Sequence, residues 1–311
     1  MAINLKGRNL VSVKDFSTEE VWQVLKTAEQ LKLGYYRNER PKLLADKTLA
    51  MIFQKPSLRT RVSFEAGMTR LGGHAIYLAP GDIKLGARET TEDIAIVLSR
   101  FADIIMARVF GHDIVVDLAK HATVPVINGL SDAEHPCQVL ADLFTVYEKK
   151  GALEGLKLTF VGDGNNVANS LMYGCAHVGM DCTICTPAGY EPATDIVKET
   201  QEMGRPIGAE IVVETDPMKA ARDADVIYTD VWASMGQEDE AEKRKKAFAP
   251  YQVNAKLMSV ADERAIILHC LPAHYGEEID YETSREPNSV IFDEAENRLH
   301  AQNALMVLLA D

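Results

Sequence analysis

Short apolar runs alternate with longer stretches of helical period along most of this chain. In the first half, strand-like runs at 48–53, 75–78, 103–108 and 124–128 are separated by helical patterns at 17–33, 59–71, 90–101 and 114–122. In the second half, strand-like runs at 157–161, 181–186, 210–214, 225–229 and 265–269 enclose helical patterns at 166–178, 193–203 and 217–224. Such alternation predicts parallel α/β architecture, because each parallel strand needs a crossover to return to the same edge. A helical stretch from about 134 to 150, ended by Gly151, stands between the two sets. A closing helix at 298–309 follows a last strand-like run at 289–292.

The expected fold class is therefore α/β, with two parallel-sheet, three-layer domains joined by two interdomain helices. Residues 1–146, completed by the C-terminal segment 291–311, form the first domain, and 147–290 the second. Such an arrangement leaves a cleft, and ligands of open α/β sheets bind beyond the carboxyl ends of the strands.

Polar residues collect at those ends. After 48–53 comes Ser57-Leu58-Arg59-Thr60-Arg61, directly before an amphipathic helix. A hydroxyl, guanidiniums and free helix N–H groups converge there, which suits a doubly charged phosphate. A capped helix start with solvated arginines is the plainer alternative. The run at 103–108 ends in Arg108, and 124–128 leads through Ser131-Asp132 to His135-Pro136-Cys137-Gln138 at a helix start. Further on, 157–161 leads to Gly162-Asp163-Gly164-Asn165-Asn166. Asp230 ends the next-to-last strand of this set, and Cys270-Leu271-Pro272 follows the last. Singly, each has a dull explanation; their joint placement at strand ends is harder to dismiss.

Composition narrows the options. A length of 311 residues suggests two domains, and 47% hydrophobic with 25% charged residues fits a soluble globular protein. No apolar run is long enough to span a bilayer and the start lacks a signal-peptide core, so a cytoplasmic location is expected. The net charge of −13 argues against nucleic acid or an anionic membrane as partner, and makes a local knot of Arg and His more telling. Five cysteines, an odd number, are expected to stay reduced. Cys182 and Cys185 are formally a CxxC pair but lie in a strand-like run without a second pair, so no metal site is predicted. Gly162-Asp163-Gly164 invites a dinucleotide reading, yet Val167 stands where the third glycine belongs and no acid ends the next strand.

With these pieces in place the chain resembles the aspartate/ornithine carbamoyltransferase family, most closely its ornithine branch. The resemblance runs from Ser17 to Leu309. It rests on Lys55-Pro56-Ser57-Leu58-Arg59-Thr60-Arg61-Val62-Ser63-Phe64-Glu65, Ala107-Arg108, His135-Pro136-Cys137-Gln138, Gly162-Asp163-Gly164-Asn165-Asn166, Asp230-Val231-Trp232-Ala233-Ser234-Met235-Gly236, His269-Cys270-Leu271-Pro272 and Glu294-Ala295-Glu296-Asn297-Arg298.

The resemblance implies transfer of the carbamoyl group of carbamoyl phosphate to the δ-amine of L-ornithine, giving L-citrulline and phosphate in arginine metabolism. It implies that Ser57, Leu58, Arg59 and Thr60 cradle the phosphate. Arg108, His135, Pro136, Cys137, Gln138, Cys270, Leu271 and Arg298 would surround the rest of carbamoyl phosphate. Asn166, Asp230, Ser234 and Met235 would hold ornithine, with Cys270, Arg108, His135 and Asp230 closest to the chemistry. Lys84 falls at a position contributed by a neighbouring subunit, implying a homotrimer with shared active sites. No metal or organic cofactor is expected, since an acyl phosphate is already activated.

Two positions depart from the family pattern: Leu58 replaces the usual threonine, and Lys84 is the basic residue associated with the aspartate-using relatives. Putrescine carbamoyltransferase is the alternative enzyme, on the likeness of Phe53-Gln54 and 77–81. Against it stand Ser234-Met235-Gly236 and the lack of a helical extension beyond Asp311. Aspartate carbamoyltransferase would call for basic residues at 234–236. A non-catalytic nucleotide-binding α/β protein, using Ser57–Arg61 as a plain phosphate grip, is the alternative from another class.

Overall fold

The computed structural model describes residues 3–83, 85, 88–233 and 238–311. The chain divides into two compact units, Met1–Phe144 with Glu296–Asp311, and Thr145–Ala295. Both boundaries fall within helices, Pro136–Lys150 and Ile291–Leu309, so the backbone passes from unit to unit twice without leaving helical conformation.

Unit 1 carries a four-stranded sheet of β1 (Thr48–Phe53), β2 (His74–Leu78), β3 (Ile104–Arg108) and β4 (Val126–Leu130), in the order β2-β1-β3-β4. Every pairing is parallel. β1 and β3 are buried along nearly their whole length, as expected of strands covered on both faces. Ile52, Ile105, Ala107 and Val126 pack against Ile94, Val115 and Leu118 from the flanking helices. Unit 2 carries β5 (Lys157–Val161), β6 (Asp181–Cys185), β7 (Ile211–Glu214), β8 (Val226–Thr229) and β9 (Ile266–His269), again all parallel, in the order β7-β6-β5-β8-β9.

In each sheet the chain starts at a central strand, builds outwards to one side, then returns to build the other. The order therefore reverses between β1 and β3 in unit 1 and between β5 and β8 in unit 2. Crossovers leave in opposite directions at such a point, and the crevice they open is where α/β sheets bind ligands. Phe53 and Arg108 are register partners at the first reversal; Val161 and Thr229 are partners at the second.

Local chemistry sets the helix limits. Ser17 caps Thr18–Tyr36 in a reciprocal box with Glu20. Leu58–Leu71 starts at Ser57 and stops at Gly72, which has φ 89° and lies where a side chain would strike Lys42.

The structure corrects three expectations. The run 289–292 is not a strand: Ser289 makes only an isolated bridge to Ile267, and Ile291 already begins the closing helix. Asp293 and Glu294 in its first turn favour that earlier start, because they oppose the positive end of the helix dipole. The pattern at 217–224 yields only Pro217–Ala220, ended before Asp223 at φ 55°. A further helix, Ala241–Phe248, was not legible because its charged sequence EKRKK offers no apolar stripe; it is held by buried Arg244 and Phe248.

Candidate functional site

At the reversal point of unit 1, the Ser57 hydroxyl accepts a hydrogen bond from Thr60 N at 3.3 Å, capping the helix Leu58–Leu71. Capping fixes the first turn, whose remaining N–H groups point out of the helix end. Leu58 is 74% exposed, so its side chain is turned away from the packed helix face, whereas Thr60 is buried. Arg108 closes β3 beside a register shift in the β3–β4 pairing between Ala107 and Arg108, the kind of irregularity that re-aims a side chain. Its backbone carbonyl accepts from Gln54 N at 2.8 Å, and the Gln54 Oε1 accepts from Phe110 N at 2.8 Å. Gln54 thus knits the loops after β1 and β3 together.

His135, Pro136, Cys137 and Gln138 stand where the helix Pro136–Lys150 begins, after β4. Cys137 is fully buried and directs its thiol to the Asn128 carbonyl at 3.4 Å; burial pushes that thiol up to about 12, so it is an inert packing group. The Gln138 Nε2 donates to Asp142 at 2.8 Å, which fixes the orientation of its amide and leaves Oε1 to accept from Arg298 Nη1 at 2.6 Å. Arg298 also donates from Nη2 to Thr60 Oγ1 at 3.3 Å and from Nε to Gln302 Oε1 at 3.1 Å. The Gln302 Nε2 in turn donates to Ser63 Oγ at 2.8 Å. One buried guanidinium therefore ties the C-terminal helix to the phosphate-loop helix and to the His135 helix.

His135 sits well below the usual histidine range, chiefly because of burial and then because Arg298, Arg108 and Arg59 surround it. A neutral imidazole among three guanidiniums can donate a hydrogen bond without adding to their repulsion. Lys55 is also lowered, by partial burial and by Arg108, and lies 4.4 Å from the Phe110 ring centroid. In a chain of net charge −13, this end of the unit 1 sheet concentrates positive charge and N–H donors. That is the chemistry of an anion pocket.

The reversal point of unit 2 carries a different set. After β5, Gly164 makes the closest backbone approach: a Cβ there would lie 2.3 Å from Pro192 N and 2.6 Å from Tyr190 O. Asn165, rather than Asn166, caps the helix Asn166–Val178, its Oδ1 accepting from Val167 N and Ala168 N. The same amide donates from Nδ2 to Asp230 Oδ2 at 3.0 Å. The other Asp230 oxygen accepts from Val231 N at 2.8 Å and from the Cys270 thiol at 3.1 Å. Asp230 is 7% exposed. A fixed carboxylate beside a thiol suits a cationic amine.

Leu271 adopts φ 57°, and its amide donates to His269 Nδ1 at 2.9 Å. The His269 Nε2 bonds Glu278 at 3.0 Å, so His269 is engaged on both nitrogens. Asp230, His269 and Cys270 offer donor atoms within 4.8 Å of one another, but the imidazole could join a cation only by giving up one of those bonds. Asp163 pairs with buried Arg244 at 2.8 Å, and Arg244 also donates to the Trp232 carbonyl at 3.0 Å, fixing the chain after Asp230. Burial raises the Asp163 carboxyl, and Arg244 partly offsets the rise.

The predicted residues thus fall into two groups. Unit 1 gathers Ser57, Arg59, Thr60, Arg108, His135, Gln138 and Arg298; unit 2 gathers Asn166, Asp230, Cys270 and Leu271. Lys84, Ser234 and Met235 lie outside the described residues. Sequence inspection missed Gln302, Ser63, Gln54 and Asn165 as supports. Only Asn165 carried a signal, as an Asn directly before a helical pattern.

Known proteins place this fold in one class. Residues 8–148 match the carbamoyl-P binding domain of aspartate/ornithine carbamoyltransferases, and residues 154–309 match the Asp/Orn binding domain. The chain belongs to the aspartate/ornithine carbamoyltransferase family. An ornithine carbamoyltransferase of Pyrococcus abyssi is 54% identical over 309 residues, covering 99% of this chain and 98% of that protein. The anabolic ornithine carbamoyltransferase of Pyrococcus furiosus is 53% identical over the same span. A solved structure of the enzyme from Pyrococcus furiosus superposes with a TM-score of 0.97, covering 99% of both chains. One from Gloeobacter violaceus, 44% identical, superposes with a TM-score of 0.89, covering 99% of this chain and all of that one.

Proposed function

We propose that this chain is an enzyme that transfers the carbamoyl group of carbamoyl phosphate to the δ-amine of L-ornithine, releasing L-citrulline and phosphate. The observation that carries this is the buried Arg298 fork joining Gln138 and Thr60, beside neutral His135 and Arg108. It supplies donors for a carbonyl oxygen and cations for a phosphate within one unit. The names of the two Pyrococcus relatives support ornithine over putrescine or aspartate as acceptor. Residues 1–146 with 291–311 would bind carbamoyl phosphate, and 147–290 would bind ornithine.

In this mechanism the δ-amine, once neutral, attacks the carbonyl carbon and a C–N bond forms. Arg108 and His135 donate to the oxygen as it gains charge. The C–O bond to phosphate then breaks, and Arg59, Thr60, the Ser57 cap and the exposed helix N–H groups receive the departing dianion. Gln138, its Oε1 committed to Arg298, would contact the carbamoyl end with the backbone around Pro136 and Cys137. Asp230 holds the amine against the Cys270 sulfur and the Leu271 backbone, and Asn166 takes the amino-acid end with Ser234 and Met235. The proton lost from nitrogen would leave by way of Asp230 and Cys270 or with phosphate.

The family role of Lys84 requires a homotrimer in which it reaches a neighbour's phosphate loop. Leu58 and Phe101, both 74% exposed, with Val62 and Phe110, support such burial of unit 1 against another copy. No helix among the described residues is long and apolar enough to cross a membrane, and a cytoplasmic location suits these substrates.

A colorimetric assay for ureido product, with carbamoyl phosphate and each amine in turn, tests the proposal. Product from L-ornithine alone is expected. Product from putrescine or aspartate in preference to ornithine would overturn it.

A further inference from the structure

Unit 2 holds a second cluster of ligating side chains, in the loop that follows β9. The His274 carbonyl accepts from Glu277 N at 2.9 Å, and Gly276, at φ 93°, supplies the left-handed position that such a turn requires. The turn brings His274, Glu277 and Glu278 together. One ring nitrogen and one oxygen from each carboxylate lie within 4.8 Å of one another.

A second observation singles out Glu278, which is 0% exposed. Its Oε1 accepts from His269 Nε2 at 3.0 Å and from His274 N at 2.5 Å. Its Oε2 is buried and has no partner among the described residues. His269 does not balance the charge: its Nδ1 accepts from Leu271 N, so the proton sits on Nε2 and the ring is neutral. A buried carboxylate with one oxygen unpartnered and no cation paired to it is unfavourable. A metal ion would supply both the positive charge and the missing partner.

The outer two ligands are available to it. Among the described residues, no hydrogen bond or ion pair engages the exposed His274 ring. Glu277 pairs with Lys245 at 2.9 Å, but both side chains are partly exposed and such a pair contributes little. The Asp230–His269–Cys270 trio lacks this freedom, because His269 is committed on both nitrogens. One imidazole with two carboxylates is a mixed nitrogen and oxygen set. That favours first-row transition metals over Ca²⁺ and Mg²⁺, which take oxygen ligands.

We propose that His274, Glu277 and Glu278 bind a divalent first-row transition-metal cation such as Zn²⁺, with Glu278 contributing its buried Oε2. Glu278 also holds His269, which accepts from the Leu271 amide, so the cation steadies the chain just after β9. The site does not rest on carbamoyl transfer, and loss of either conclusion leaves the other standing.

Titration of the full chain with Co²⁺, a spectroscopically visible substitute for Zn²⁺, tests it. The titration is run on wild type and on Cys270→Ser, in which the four remaining cysteines are all buried. Cys270→Ser should still bind one Co²⁺ per chain, with ligand-field bands, no thiolate charge-transfer band, and a melting temperature that rises with Co²⁺. Adding His274→Ala or Glu277→Gln to it should weaken Co²⁺ by about tenfold or more, since loss even of an outer-shell partner costs about that much. Both residues reach solvent, so the metal-free variants should melt as their parent does. Absence of saturable binding to Cys270→Ser would overturn the proposal, because any cation bound by wild type would then belong to the Asp230 and Cys270 cluster. Equal Co²⁺ affinity with and without His274→Ala and Glu277→Gln would overturn it as well.

Discussion

Arg298 and Gln138, 160 residues apart in sequence, meet at 2.6 Å in the interior of unit 1, where Gln138 is 1% and Arg298 2% exposed. The Gln138 amide cannot turn away, because Asp142 holds its other end. Arg298 divides its fork among Gln138, Thr60 and Gln302. An ammonium cannot span these three acceptors in one plane. Arg298→Lys should therefore lower kcat/KM for carbamoyl phosphate by roughly tenfold or more and cost roughly 1–3 kcal/mol of stability. Steady-state kinetics with denaturant unfolding checks both, and full activity would disprove the organising role of the fork.

Arg59 offers a cleaner test of phosphate binding, since it is only partly buried at the capped helix start. Removing one charge-assisted contact to phosphate costs about 1.5–3 kcal/mol, roughly ten- to a hundredfold in rate. Arg59→Ala should show this loss in kcat/KM for carbamoyl phosphate with little change in melting temperature. An unchanged kcat/KM would remove Arg59 from the phosphate site.

In unit 2, Asp230→Asn should raise KM for ornithine by roughly tenfold or more while sparing carbamoyl phosphate affinity. Cys270→Ser keeps a hydroxyl donor for Asp230 and should cost less. Measured dissociation constants for the two substrates separate the cases; equal weakening of both would contradict a divided assignment.

Two neighbouring buried groups give opposite pH dependence. Glu134 has its carboxyl raised from 4.5 to about 7, chiefly by burial, with the Ser12 hydroxyl and Val13 N opposing and nearby Asp15 adding to the rise. Its folded value exceeds the unfolded one, so its contribution is complete below about 4.5 and is lost as pH rises through about 7. His135, lowered by burial, behaves oppositely: its contribution is present above its unfolded value near 6.5 and declines as pH falls below it. Glu134→Gln keeps an acceptor for Val13 N, 3.3 Å away, and should stabilise the chain at pH 8 by up to about 3 kcal/mol, with little effect at pH 4.5. Thermal melts across that range would reveal it; equal melting of both proteins at pH 8 would refute it.

Gly164→Ala places a methyl group against Pro192 N and Tyr190 O, backbone atoms that cannot rotate aside. Overpacking of this kind costs roughly 1–3 kcal/mol. The strain falls beside Asn165, so KM for ornithine should rise as well. A variant as stable and active as wild type would show that the loop yields.

The alternation of strands and helices, the two sheets and the set of polar residues at strand ends are all legible in the order of amino acids. These are local properties: period-two and period-3.6 burial, caps such as Ser57, and breakers such as Gly72 and Gly151 are written in neighbouring residues. The sequence did not reveal the helix Ala241–Phe248, whose charged surface carries no apolar stripe, nor the true start of the closing helix, where Val290-Ile291-Phe292 reads equally well as strand. It took the folded chain to show that Arg298 serves Thr60 and Gln138, and that Asn165 rather than Asn166 steadies Asp230. Such contacts join residues far apart in the chain, and the spacing along a sequence places no constraint on which distant side chains packing brings together.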